Sequence, residues 1–73
     1  MSTNTVGGKI AEARARVTPY LSQQELAKRL KDAGIDISTA GVAEIEAGKR
    51  SLNYYQVTVL ASILNTTVHQ LHS

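Results

Sequence analysis

The chain has no cysteine, tryptophan or phenylalanine, one proline, and three aromatic residues, all tyrosine. The lack of cysteine removes disulfide staples and thiolate metal sites. With so few aromatics, Ala, Leu, Val and Ile must fill the interior, which favours helices packed on helices. No stretch approaches the roughly 20 apolar residues of a membrane span. Residues 1–8, Met-Ser-Thr-Asn-Thr-Val-Gly-Gly, lack the basic start and apolar core of a secretory signal. A cytoplasmic, all-α protein is the expectation. At 73 residues, one small domain buries only about 60% of its unfolded surface, leaving little room for a walled catalytic cleft.

Charge is scarce too, at a net of +2, which is a weak footprint for nucleic acid. Its placement says more. Residues 1–31 set Lys9, Arg14, Arg16, Lys28, Arg29 and Lys31 against Glu12 and Glu25, a net of +4. Residues 32–50 set Lys49 and Arg50 against Asp32, Asp36, Glu44 and Glu46, a net of −2. The last 23 residues carry no formal charge.

Apolar periodicity and cap residues divide the chain into five short helices. Over residues 7–17, Ile10, Ala13 and Val17 share one face, and Pro19 stops the helix. Ser22-Gln23-Gln24-Glu25 reads as a capping box that opens a second helix, with Leu26, Ala27 and Leu30 inward and Gly34 as its stop. Ser38 caps a third helix in which Val42 and Ile45 point inward and Gly48 follows the end. Asn53 or Ser51 caps a fourth helix, and Asn53-Tyr54-Tyr55-Gln56 reads as a second capping box, ahead of the stripe Val57, Leu60, Ala61 and Leu64. Asn65-Thr66-Thr67 is a turn, and residues 68–71 form the last helix. One of Tyr54 and Tyr55 is expected to anchor the core. Val59 and Ile63 lie partly off the inner stripe, and with Leu71 would form an apolar patch suited to a partner.

Three stretches taken together resemble a known family. They are Ser22-Gln23-Gln24-Glu25-Leu26-Ala27, then Ile45-Glu46-Ala47-Gly48-Lys49-Arg50, then residues 57–64 followed by Asn65-Thr66-Thr67-Val68-His69-Gln70-Leu71. The pattern resembles the phage Cro/C1-type repressors, also called the xenobiotic-response-element family, over about residues 7–72. The resemblance implies a five-helix, lambda-repressor-like DNA-binding domain with a helix-turn-helix. It would occupy residues 7–73, after a flexible terminus at 1–6.

The same resemblance implies roles for individual residues. Thr39, Ala40, Ala43 and Glu44 fall at the base-reading positions of the recognition helix. Gln23 matches the family position that clamps a phosphate, while Arg14, Arg16, Lys49 and Arg50 are further phosphate candidates. Glu46 matches a structural glutamate that bonds to nearby backbone, and Lys28, Arg29 and Lys31 read as a solvated face.

The chain departs from the family pattern twice. Seven residues separate Leu30 from Ser38, a longer connection than compact members have. The recognition helix also carries Glu44 and Glu46 and no basic residue. Thr39 can make one hydrogen bond or touch a thymine methyl, and the alanines offer only methyl contact. Glu44 could accept from a cytosine amino group, but it also faces a dense row of phosphates.

Two functions stay open from sequence. One is a small transcriptional regulator that binds a double-stranded operator, as a homodimer if it follows the family. The other is an anti-repressor of the same fold that binds a second repressor protein through Asp32, Asp36, Glu44, Val59 and Ile63. No cofactor or small-molecule substrate is expected. His69 and His72 lack a third metal ligand nearby in sequence, and nothing marks a catalytic nucleophile. A non-enzymatic protein is the expectation.

Overall fold

The computed structural model describes residues 6–17 and 20–72. Five helices follow one another: α1 (Val6–Arg16), α2 (Gln23–Asp32), α3 (Thr39–Glu46), α4 (Tyr54–Ile63) and α5 (Val68–His72). No strand occurs among the described residues. Val6, assigned above to the flexible terminus, is the first residue of α1 and packs half-buried against the core. The rest of that terminus, and the expected stop at Pro19, lie outside the described residues.

Each middle helix starts on a side-chain cap. Ser22 Oγ accepts from the Glu25 N–H at 3.0 Å, and Ser38 Oγ accepts from the Gly41 N–H at 3.2 Å. At α4 the box closes in both directions. Asn53 Oδ1 accepts from the Gln56 N–H at 2.8 Å, and Gln56 Oε1 accepts from the Asn53 N–H at 3.0 Å. The reciprocal half expected at α2 does not form. Glu25 instead turns forward to Arg29, at 3.5 Å, the i to i+4 spacing at which opposite charges on a helix meet.

Three helices end alike. The residue after the cap is left-handed at Gly34 (φ 91°), Gly48 (φ 77°) and Asn65 (φ 56°). At each, the next N–H reaches back to a carbonyl five residues earlier: Ile35 to Leu30, Lys49 to Glu44, and Thr66 to Ala61, all at 2.9 Å. This is the Schellman arrangement, which satisfies carbonyls that helix ends otherwise leave bare. Asn65 does at some cost what glycine does freely. Asn65→Ala is expected to lose about 1 kcal/mol and Asn65→Gly to lose nothing or gain slightly, measured by thermal melts in far-UV circular dichroism. An unchanged melt for the alanine variant would overturn this account of the turn.

The interior is aliphatic throughout. Ile10, Leu21, Leu26, Leu30, Val42, Ile45, Val57, Leu60, Leu64 and Leu71 are buried together. The long connection between α2 and α3 is held from within. Ile35 and Ile37 both enter the core, and Asp36 between them faces water. Two inward isoleucines thus anchor the connection and hold α3 against α2.

Two expectations fail at the core's edge. Tyr54 and Tyr55 are 73% and 61% exposed, so neither anchors the core. They stand at the first two positions of α4, before the inward stripe begins at Val57. Leu71 is fully buried, and Val59 and Ile63 are half-buried against the same cluster. The continuous apolar patch expected from these three residues is therefore absent, because α5 turns Leu71 inward.

Gly7 sets how near α1 can come to α3. It is buried, and a Cβ built there would run into the carbonyl oxygen of Ile45, at the C-terminal end of α3. Backbone meets backbone at that crossing, with no side chain between.

Candidate nucleic-acid interface

α3 divides cleanly into two faces. Gly41, Val42 and Ile45 are buried, whereas Thr39, Ala40, Ala43, Glu44 and Ala47 are exposed. All four base-reading candidates therefore share the outward side of one eight-residue helix. That side is shallow, formed by methyl groups, one hydroxyl and one long acid.

The base of α3 is clamped by Glu46. Arg14 of α1 donates from Nε to Glu46 Oε2 at 2.7 Å and from Nη2 to Oε1 at 3.1 Å, a bidentate pair. Gln23, the first residue of α2, donates from Nε2 to Glu46 Oε1 at 2.9 Å. The Arg14 and Glu46 side chains are only 13% and 7% exposed. Arg14 Nη1 also donates to the Tyr20 hydroxyl and the Leu21 carbonyl, both at 3.0 Å. One carboxylate thereby joins three helices. Hydrogen bonding to Glu46 is the main reason the Arg14 pKa lies above the ordinary arginine value, so the guanidinium holds its proton still more firmly.

This geometry revises two expected phosphate contacts. Arg14 has all three guanidinium nitrogens engaged inside the protein, and this removes it from the set of free cations. Gln23 spends one amide N–H on Glu46 and keeps its place at the start of α2. Glu46 is structural, with side chains rather than the backbone carrying its contacts to Arg14 and Gln23. Tyr20, which orients Arg14, escaped sequence reading because it stands in a connection with no periodicity around it.

The other cations are distributed differently. Arg16 and Lys49 are exposed and have no ion pair among the described residues. Arg50 folds back over α3: its Nη1 lies 3.6 Å from Glu44 Oε1 and close above Gly41, where a Cβ would crowd it. Both partners are about half exposed, so the pair adds little stability. Its effect is local, since it offsets the one charge on the outward face of α3. Asp32 and Asp36 are exposed at and after the end of α2.

Among the described residues no helix is long and apolar enough to cross a membrane, and no group of three metal-ligating side chains comes together. Comparison with protein-family models, curated proteins and solved structures gives no match to this chain.

Proposed function

We propose that this protein is a helix-turn-helix regulator that binds duplex DNA, with α2 and α3 as the two-helix unit and α3 in the major groove. The observation that carries this reading is the outward face of α3 on a clamped base. Thr39, Ala40 and Ala43 present a low profile that lets a helix seat deeply and touch thymine methyls. Arg16, Lys49 and Arg50 serve as backbone contacts, together with the remaining Gln23 amide at the positive end of α2. Arg14 acts indirectly, by holding α3 through Glu46.

Binding of a labelled random-sequence duplex, followed by fluorescence anisotropy, tests the electrostatic part. Three phosphate-contacting cations give a slope of about −2.7 in log affinity against log salt, or about 40-fold weaker binding at 200 mM than at 50 mM. Lys49→Glu with Arg50→Glu should flatten that slope and weaken binding. Salt-independent affinity, or reversal variants that bind as well as the parent, would sink the proposal.

A second reading has its own observation. Glu44 stands exposed in the middle of α3, with Asp32 and Asp36 exposed before it. That acidic edge would repel phosphates but would complement the basic face of another DNA-binding protein. Under this anti-repressor reading the protein alone leaves DNA unshifted and alters only the retardation caused by its partner. Glu44→Lys separates the two: it strengthens DNA binding and abolishes partner binding if the acidic edge is the working surface, and it disrupts sequence preference if α3 reads bases.

A further inference from the structure

The outward face of α3 has no side chain with two donors. Thr39 has one hydroxyl, Ala40 and Ala43 have none, and Glu44 only accepts. The chain nonetheless lays a guanidinium along this helix. Arg50 lies beyond the C-terminal end of α3, yet its Nη1 stands 3.6 Å from Glu44 Oε1 and 3.0 Å from where a Cβ on Gly41 would be. Gly41 is the third residue of α3, so the Arg50 side chain runs back along the helix rather than away from it. Positions 41 and 44 are one turn apart on one flank. Glu46, tied to Arg14 and Gln23, lies on the opposite flank. Two features seat the tip of Arg50. Glu44 supplies the opposite charge, and Gly41 supplies the space, since a side chain there would crowd both Arg50 Nη1 and Ile37 Cγ2. Arg50 Nε and Nη2 have no partner among the described residues.

We infer that Arg50 is a base-reading residue, which α3 borrows from the loop that follows it, and that the base it selects is guanine. The inference rests on the DNA-binding reading and adds specificity to the charge that Arg50 brings to the duplex. A guanidinium has donors only, and its Nε–Nη2 edge is a fork of two parallel N–H groups. In the major groove guanine alone offers two adjacent acceptors, N7 and O6, to such a fork. Glu44 decides between base and backbone. A phosphate drawn to Arg50 would also meet the neighbouring carboxylate, a like charge. The edge of a G·C pair sets the amino group of cytosine beside those two acceptors, so it complements an arginine and a glutamate held side by side. Thr39, Ala40 and Ala43 are short, which leaves room on the outward face for base edges to approach this flank. Glu44 is then a positioning residue for Arg50, and the acid on the recognition helix serves base readout without a basic residue on α3 itself.

Duplexes retained by the full chain are selected from a random-sequence pool and sequenced. Affinities for the preferred duplex and its single-pair variants then follow by fluorescence anisotropy. One G·C pair should emerge whose change to A·T weakens the parent about 5- to 150-fold. Arg50→Ala should lose nearly all of that discrimination. Lys49→Ala should weaken every duplex alike and keep it, as removal of a phosphate contact does. Glu44→Gln should lose part of the discrimination while gaining affinity for the random pool, because a charge that both orients Arg50 and repels phosphates is gone. The Arg50 and Glu44 side chains are 44% and 56% exposed, so far-UV circular dichroism should show an unchanged fold. A parent that retains no duplex overturns the DNA-binding reading and the inference together. A parent that binds duplex DNA without preferring any G·C pair overturns the inference alone. So does a guanine preference that survives Arg50→Ala, or an Arg50→Ala protein weakened equally on every duplex, which would leave Arg50 a backbone contact.

Discussion

Gly7→Ala should lower the melting temperature by about 8 °C or more, and Gly7→Val should leave the chain unfolded at room temperature. Two opposing effects decide the sign. Replacing a helical glycine by alanine ordinarily stabilises a helix by about 1 kcal/mol. At Gly7 the new methyl group would meet the Ile45 carbonyl oxygen, with the Ile45 and Glu46 carbonyl carbons just behind it. Overpacking costs about 1–3 kcal/mol when side chains can yield. Here the obstacle is backbone at the end of a helix, so the cost lies at or above the top of that range. A net loss of about 2 kcal/mol corresponds to about 8–16 °C in a domain of this size. A chain of this length has about 4–11 kcal/mol in total, so the branched valine exhausts the smaller part of that range. A melting temperature that rises in Gly7→Ala would show that α1 and α3 can separate without penalty.

Glu46→Ala should cost about 2–3 kcal/mol, seen as a fall of about 10–20 °C in the melting transition. Removing the carboxylate leaves the Arg14 guanidinium nearly buried without its counter-charge and the Gln23 amide without its acceptor. Breaking a fully buried pair costs about 3–5 kcal/mol. The smaller figure reflects the Tyr20 hydroxyl and Leu21 carbonyl that Arg14 keeps, and the residual solvent access at its edge. Replacing both partners, as in Arg14→Met with Glu46→Leu, should be less damaging than Glu46→Ala alone, since no charge is then stranded. A loss under about 0.5 kcal/mol for Glu46→Ala would reduce the clamp to a surface contact. The raised Arg14 pKa adds no pH dependence near neutrality. Its contribution is fully present below the unfolded-state arginine value and fades only as pH climbs past the folded-state value.

These two sites mark the limit of what the sequence discloses. The inward stripes at Leu26, Leu30, Val42, Ile45, Val57 and Leu60 could be read from their period, because burial repeats with the helical turn. Ser22, Ser38 and Asn53 could be read as starts, and Gly34, Gly48 and Asn65 as stops, because caps act within a few residues. Glu46 could be singled out as structural, but its partners could not. Arg14 lies 32 residues away, and nothing local distinguishes it from Arg16, which is exposed. Both look like phosphate ligands in the sequence; only the crossing of α1 over the end of α3 selects one for the interior. Gly7 was equally silent, since a glycine at a helix start is unremarkable until another backbone lies against it. Tyr54 and Tyr55 misled for the opposite reason. Aromatic residues usually fill cores, whereas here the aliphatic residues suffice.

The exposed tyrosines carry an experimental consequence. They are the chain's only aromatic residues, and Tyr20, Tyr54 and Tyr55 are 70%, 73% and 61% exposed. Near-ultraviolet absorbance, near-ultraviolet dichroism and intrinsic emission all originate from these three rings. Unfolding changes the surroundings of Tyr54 and Tyr55 little, since water already surrounds them in the native state. Covering Tyr55 or displacing the Arg14 contact to Tyr20 changes those surroundings much more. In this protein Tyr54 and Tyr55 report what touches the surface, Tyr20 alone follows unfolding through the loss of its Arg14 contact, and the amide backbone gives the fuller record of the loss of structure.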